Sequence, residues 1–161
     1  MCLHKTNSGF TLIELMIVLI LLSIVATVAV PGFNQLIENN RQTTLTNSFL
    51  GLLHYARTEA VRRGEPIEVT PSGGSFVVSA FPGGTKTTIR EMEALPGSAS
   101  IARTDGGGSD LEFSPTGRSN VAAAGAFTYR ICGAPGSDGV VIRVNRGGQI
   151  NTNPGTVTCP P

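Results

Sequence analysis

Tryptophan is absent, tyrosine occurs twice, and only 14% of the 161 residues are charged. With 12 Lys+Arg against 11 Asp+Glu the formal net charge is +1, which excludes a highly charged disordered chain and a histone-like polycation. A nucleic acid could be held only through a local patch. Histidine is scarce too, at two residues, and Gly-x-Ser-x-Gly, His-Glu-x-x-His and phosphate-loop motifs are all missing. Gly106-Gly107-Gly108-Ser109 has neither the lysine nor the following helix of a phosphate loop. Asp105 and Asp110 flank these glycines without the third acid and spaced ligands of a calcium loop, so a solvated turn is expected there. His54 has no cysteine or second histidine near it and reads as an ordinary helix residue. The expectation is a protein without catalysis, cofactor or metal.

What is present is distributed unevenly. No charge occurs between Glu14 and Glu38, and residues 15–30 read LMIVLILLSIVATVAV, whereas the rest resembles one Gly-rich soluble domain with many turns. Ala26-Thr27-Val28-Ala29 could be stretched to fit a signal-peptide cleavage site, but Glu14 at the edge of the apolar core argues against a removed signal. As helix, residues 10–30 extend roughly 31 Å, which matches a hydrocarbon core of about 30 Å. A carboxylate at that depth costs about 2–3 kcal/mol or more, so Glu14 must be paired or have a purpose.

Gly9-Phe10-Thr11-Leu12-Ile13-Glu14-Leu15-Met16, followed by the apolar run and Pro31, resembles the class III leader of type IV pilins and type II secretion pseudopilins. The resemblance implies that a prepilin peptidase cuts after Gly9 and methylates the new terminus at Phe10. It also implies that Glu14 pairs with the terminal amine of a neighbouring subunit, and a buried carboxylate and a buried ammonium each cost less together than apart. The short basic leader stays cytoplasmic by the positive-inside tendency. The head then lies in the periplasm on a single-pass inner-membrane anchor, before assembly into a pilus or pseudopilus.

Losing the leader removes Cys2 and leaves Cys132 and Cys159 outside the membrane, where one disulfide is expected; two free thiols remain the alternative, and a metal site is less favoured. Downstream of Pro31, residues Phe33, Leu36, Ile37, Leu45, Phe49, Leu52, Leu53, Ala56 and Ala60 recur at helical spacing with polar residues between them. This stripe is expected to pack on the head. Pro31 should kink or locally melt the helix, and Gly64-Glu65-Pro66 should stop it. From Ile67 the period becomes two. Strands are expected at residues 67–70, 75–81, 88–92, 99–102, 111–114, 126–132, 140–145 and 150–152, with Pro71-Ser72-Gly73-Gly74 as a hairpin turn. The expected fold is α+β, a long N-terminal helix packed on a C-terminal antiparallel sheet. Its segments are residues 1–9 as leader, 10–31 as transmembrane or filament-core helix, 32–64 as amphipathic helix and 65–161 as β-rich head.

Residues 55–66 (YARTEAVRRGEP) and 111–118 (LEFSPTGR) carry a narrower resemblance to minor pilins of the FimT and FimU kind and to the H-type pseudopilin. It implies a minor subunit that assembles with other pilins and helps initiate or cap the filament. Locally, Glu59 and Arg63 are expected as an i, i+4 pair on a solvated helix face, and residues 115–118 as a turn. The alternative function implied by FimT-like members is DNA capture through a Gly-Arg-x-Arg motif. The comparable turn here, Gly147-Gly148-Gln149-Ile150-Asn151, lacks those arginines, which leaves Arg130, Arg143 and Arg146 as the candidate DNA contacts.

Overall fold

The computed structural model describes the backbone of residues 10–95, 97–122 and 125–161, with the side chains of residues 28, 30–32, 34–35 and 154–156 outside the description. Gly9 lies outside the described residues, as does the side chain of Pro31. One helix, α1 (Leu12–Arg63), precedes eight strands. Its first turn is capped by Thr11, whose Oγ1 accepts the Glu14 backbone N–H at 3.3 Å. Glu14 is thereby the third helical residue after a Thr cap, the spacing of a capping box, with its carboxylate near the positive end of the helix dipole. Helical backbone continues through Pro31, so the expected local melting does not occur. The helix stops at Gly64, which adopts φ +68 and donates to the Ala60 carbonyl at 3.1 Å, a left-handed termination that glycine accepts without strain.

The chain divides into two compact units, Met1–Ile37 and Glu38–Pro161. In the first, the large described apolar side chains are exposed, among them Leu12, Met16, Leu19 and Ile24. Phe33, Leu36 and Ile37 are also exposed, at 63%, 56% and 53%, against the expectation that they extend the buried stripe. Helical spacing tells which side a residue shares but not whether another element reaches that level; burial begins at Leu45.

The second unit holds the strands: β1 (Ile67–Ser72), β2 (Ser75–Ala80), β3 (Thr87–Glu91), β4 (Ser100–Arg103), β5 (Leu111–Phe113), β6 (Ala126–Cys132), β7 (Asp138–Asn145) and β8 (Ile150–Thr158). They form two antiparallel four-stranded sheets, ordered β3-β2-β1-β5 and β4-β6-β7-β8, where the sequence suggested one. The β1–β2 hairpin is tighter than expected. Pairing runs to Ser72↔Ser75, which leaves only Gly73 and Gly74, at φ +56 and +81, as the loop. Two consecutive positive φ angles define the turn whose twist matches its flanking strands, and glycine alone takes both cheaply. β8 runs through Pro154-Gly155 to Thr158, well beyond the expected residues 150–152.

The core is where α1 meets both sheets. Leu45, Phe49, Leu52, Leu53, Ala56 and Ala60 of α1 are buried with Ile67, Val69 and Val78 of one sheet and Tyr129, Ile131 and Ile142 of the other. Phe49 sits 4.8 Å from the Phe76 ring and 5.0 Å from the Tyr129 ring, and the last two are 5.9 Å apart, largely edge to face as aromatic quadrupoles prefer. Cys132 at the end of β6 is bonded to Cys159 beyond β8, with Cα atoms 5.8 Å apart. Gly139 makes room for this bridge, since a Cβ there would stand 3.2 Å from Cys159 Sγ and 3.0 Å from the Val157 carbonyl oxygen. Close by, Gln42 Nε2 donates to the Asp138 carbonyl at 2.6 Å, tying α1 to the start of β7.

Candidate functional site

Two regions carry the residues singled out in the sequence. The first is the start of α1. Phe10 is 85% exposed, and Glu14 lies one turn into the helix with exposed apolar residues on every side. Sequence reading found the acid but missed the Thr11 cap that receives its backbone N–H, although Thr11-x-x-Glu14 is the signal for a capped helix start. Among the described residues no helix is long and apolar enough to cross a membrane.

The second region is the outer face of the β4-β6-β7-β8 sheet. β6 alternates strictly, with Phe127, Tyr129 and Ile131 inward and Thr128 and Arg130 outward. Register sets Arg130 opposite Val141 and Thr128 opposite Arg143, which brings Arg130 and Arg143 to one face. Arg146 is not there. It occupies the β7–β8 turn, and its carbonyl accepts the Ser119 N–H at 3.2 Å.

That turn forms a separate junction. Arg57 Nε donates to the Gly117 carbonyl at 3.0 Å, and Gly148, at φ +74, packs so tightly that a Cβ would overlap the same oxygen. Thus the SPTGR and NRGG segments, far apart in sequence, are fitted together against α1 by two glycines and one arginine. Glu59 lies on the same stretch of helix. It accepts hydrogen bonds from Arg62 Nε at 2.9 Å and Arg63 Nε at 2.6 Å with its side chain only 9% exposed, so the expected pair exists and the acid is covered while the Arg62 side chain stays 63% exposed. Hydrogen bonds from Arg62 and then Arg63 lower its carboxyl from an ordinary 4.5 to about 2. A carboxyl depressed on folding adds stability above its unfolded value and loses it as pH falls from about 4.5 toward about 2. Glu59→Gln should therefore be less stable than wild type at neutral pH and converge with it near pH 2 in acid titrations followed by circular dichroism. Parallel curves across the range would show that the pair contributes nothing.

Asp105 is engaged by Arg103, at 2.5 Å from Nε and 2.7 Å from Nη2, and that guanidinium holds its carboxyl below the usual range. Among the described residues no group of acids, histidines and cysteines could hold a metal ion. His54 is an exposed helix residue.

A family model described as Type II transport protein GspH matches residues 45–148, more than half of the chain, and one described as Prokaryotic N-terminal methylation motif matches residues 4–30. No curated protein matches significantly. Among solved structures, the chain is similar to the type IV minor pilin FimU of Pseudomonas aeruginosa, at 19% identity and TM-score 0.62 over 75% of this chain and 94% of that one. It is also similar to the minor pseudopilin EpsH from the Type 2 Secretion System of Vibrio cholerae, at 12% identity and TM-score 0.58 over 73% of this chain and 99% of that one. At these identities the likeness is one of fold. It covers the helix-on-sheets architecture, while the two family matches cover the capped apolar helix start and the head. The chain belongs to the GspH family of type II transport proteins and is a minor pilin or pseudopilin subunit.

Proposed function

We propose that this subunit is cut after Gly9 and N-methylated at Phe10, that residues 10–31 anchor it in the inner membrane, and that the same helix enters the filament core. Glu14 then pairs with the terminal amine of a neighbouring pilin. The head stays on the periplasmic side and later on the filament surface, where the subunit helps initiate or cap assembly without catalysing a reaction. The observation that carries this reading is the capped start of α1. An acid sits one turn from Phe10 among exposed apolar residues, and such a surface is stable only in lipid or against other helices. A carboxylate buried in either place needs a cation.

Intact-mass analysis of membrane-extracted protein should find a chain beginning at methylated Phe10; a mass retaining residues 1–9 in cells with active peptidase would contradict processing. Glu14→Gln preserves the backbone N–H that Thr11 receives and removes only the charge, so it separates capping from ion pairing. It should insert normally, yet enter filaments on the order of a hundredfold less efficiently, the cost of an unpaired buried partner charge of about 3 kcal/mol. Normal incorporation would refute the pairing.

A further inference from the structure

The outer face of the β4-β6-β7-β8 sheet carries two guanidiniums that, among the described residues, form no ion pair. Arg130 and Arg143 are diagonal neighbours across β6 and β7, with Cβ atoms about 7–8 Å apart in such a pair. Among the described residues neither has a carboxylate partner, whereas Arg41, Arg62, Arg63, Lys86 and Arg103 all do. Both line a shallow concavity of about 370 Å³ with Thr104, Thr128, Asn153 and Val157, and Val141 forms its floor at only 9% exposure. Two like charges on one sheet face are within reach of a single group of opposite sign seated between them, since diagonal neighbours can meet through long side chains.

The geometry points to a docking site for an acidic segment of a neighbouring pilin subunit, with an Asp or Glu carboxylate seated between Arg130 and Arg143 and the Thr128 hydroxyl beside it. This rests on the reading of the chain as a filament subunit. A protein carboxylate fits better than a nucleic acid. Two cations neutralise about two phosphates, and affinity for a duplex grows with that number, so about two contacts hold it weakly at physiological salt. A guanidinium, by contrast, takes a carboxylate through two parallel hydrogen bonds, and a covered apolar floor lessens the screening of that pair. Arg146, in its turn, adds no third charge to this face.

The test uses the full-length chain in detergent micelles, titrated with a fluorescent octaglutamate peptide and separately with a short DNA duplex. Wild type should bind the peptide in a salt-sensitive manner, and Arg130→Ala/Arg143→Ala should weaken it by about tenfold or more. Arg118→Ala, an exposed arginine elsewhere on the head, should leave binding unchanged. The proposal is overturned if the double variant binds like wild type, or if no peptide binds even at low salt. It is equally overturned if the duplex binds more tightly than the peptide in a manner that depends on Arg130 and Arg143, which would give the face to nucleic acid. Filament entry of the wild-type chain reports on the subunit reading alone. Absence of the wild-type chain from filaments sinks that reading and normal entry of Glu14→Gln only the Glu14 pairing, while undiminished peptide binding by the double variant sinks only the docking site.

Discussion

Phe49→Ala should destabilise the head by about 4 kcal/mol, the largest effect expected of any single substitution in this chain. The ring is fully buried and meets aromatic rings from both sheets, Phe76 on β2 and Tyr129 on β6. Truncation removes the burial of a whole aromatic side chain and also leaves a hole bounded by three elements. None of the three can move in to fill it without shifting a sheet. Two ring–ring contacts, each worth about 0.5–1.5 kcal/mol beyond area, go with it. Denaturant unfolding of the solubilised chain, followed by near-ultraviolet circular dichroism, should show the midpoint fall with little change in slope. Val61→Ala, on the same helix but 55% exposed, should stay within about 0.5 kcal/mol of wild type. A loss below about 1 kcal/mol for Phe49→Ala would mean that the helix is not the keystone of the core.

Opening the Cys132–Cys159 bridge should lower stability by about 3.5 kcal/mol. The two residues are 27 apart, and closing a loop of that length removes entropy from the unfolded chain by about that amount in the chain-entropy description. For a unit of this size the melting temperature should fall by about 10 °C. The effect is large because the segment it restrains holds itself weakly. β8 is an edge strand, and Asn151, Thr152 and Asn153 are exposed. Calorimetry with and without a phosphine reductant, alongside Cys132→Ser/Cys159→Ser, measures it. The reduced wild type and the double variant should melt together, and a reduced chain that melts where the oxidised one does would remove the bridge from the account of stability.

Much of this was legible in the sequence because it is written locally. A Gly-Phe-Thr start with Glu14 and an apolar run, helical spacing from Leu45 to Ala60, and the strict alternation of Phe127 to Ile131 each depend on neighbours a few residues apart. What was not legible is non-local. That Phe76 and Tyr129 belong to different sheets follows from pairings such as β1 with β5 and β4 with β6, which join residues dozens of positions apart. Pro154 and Gly155 read as a break, yet β8 continues, because on an edge strand a proline need not donate to the ladder. Glu59 looked like half of a surface pair. It accepts from Arg62 as well as from Arg63, a double contact that the i, i+4 spacing alone does not reveal. Among the arginines, the sequence set Arg130, Arg143 and Arg146 together, whereas the ladder keeps Arg143 beside Arg130 and sends Arg146 to the β7–β8 turn, where its carbonyl receives Ser119.

The bridge between β6 and the far end of β8 also determines how the head responds to tension. An antiparallel edge strand loaded from its free end unzips one ladder bond at a time. Here a force applied beyond Cys159 passes through the sulfur–sulfur bond to Cys132, at the end of an interior strand, and bypasses the β7–β8 ladder. The 27-residue separation that would otherwise extend by about 90 Å, at about 3.4 Å per residue, stays locked. Under load an oxidised head therefore yields only when β6 is drawn from between β4 and β7, while a reduced one lengthens from its C-terminus first.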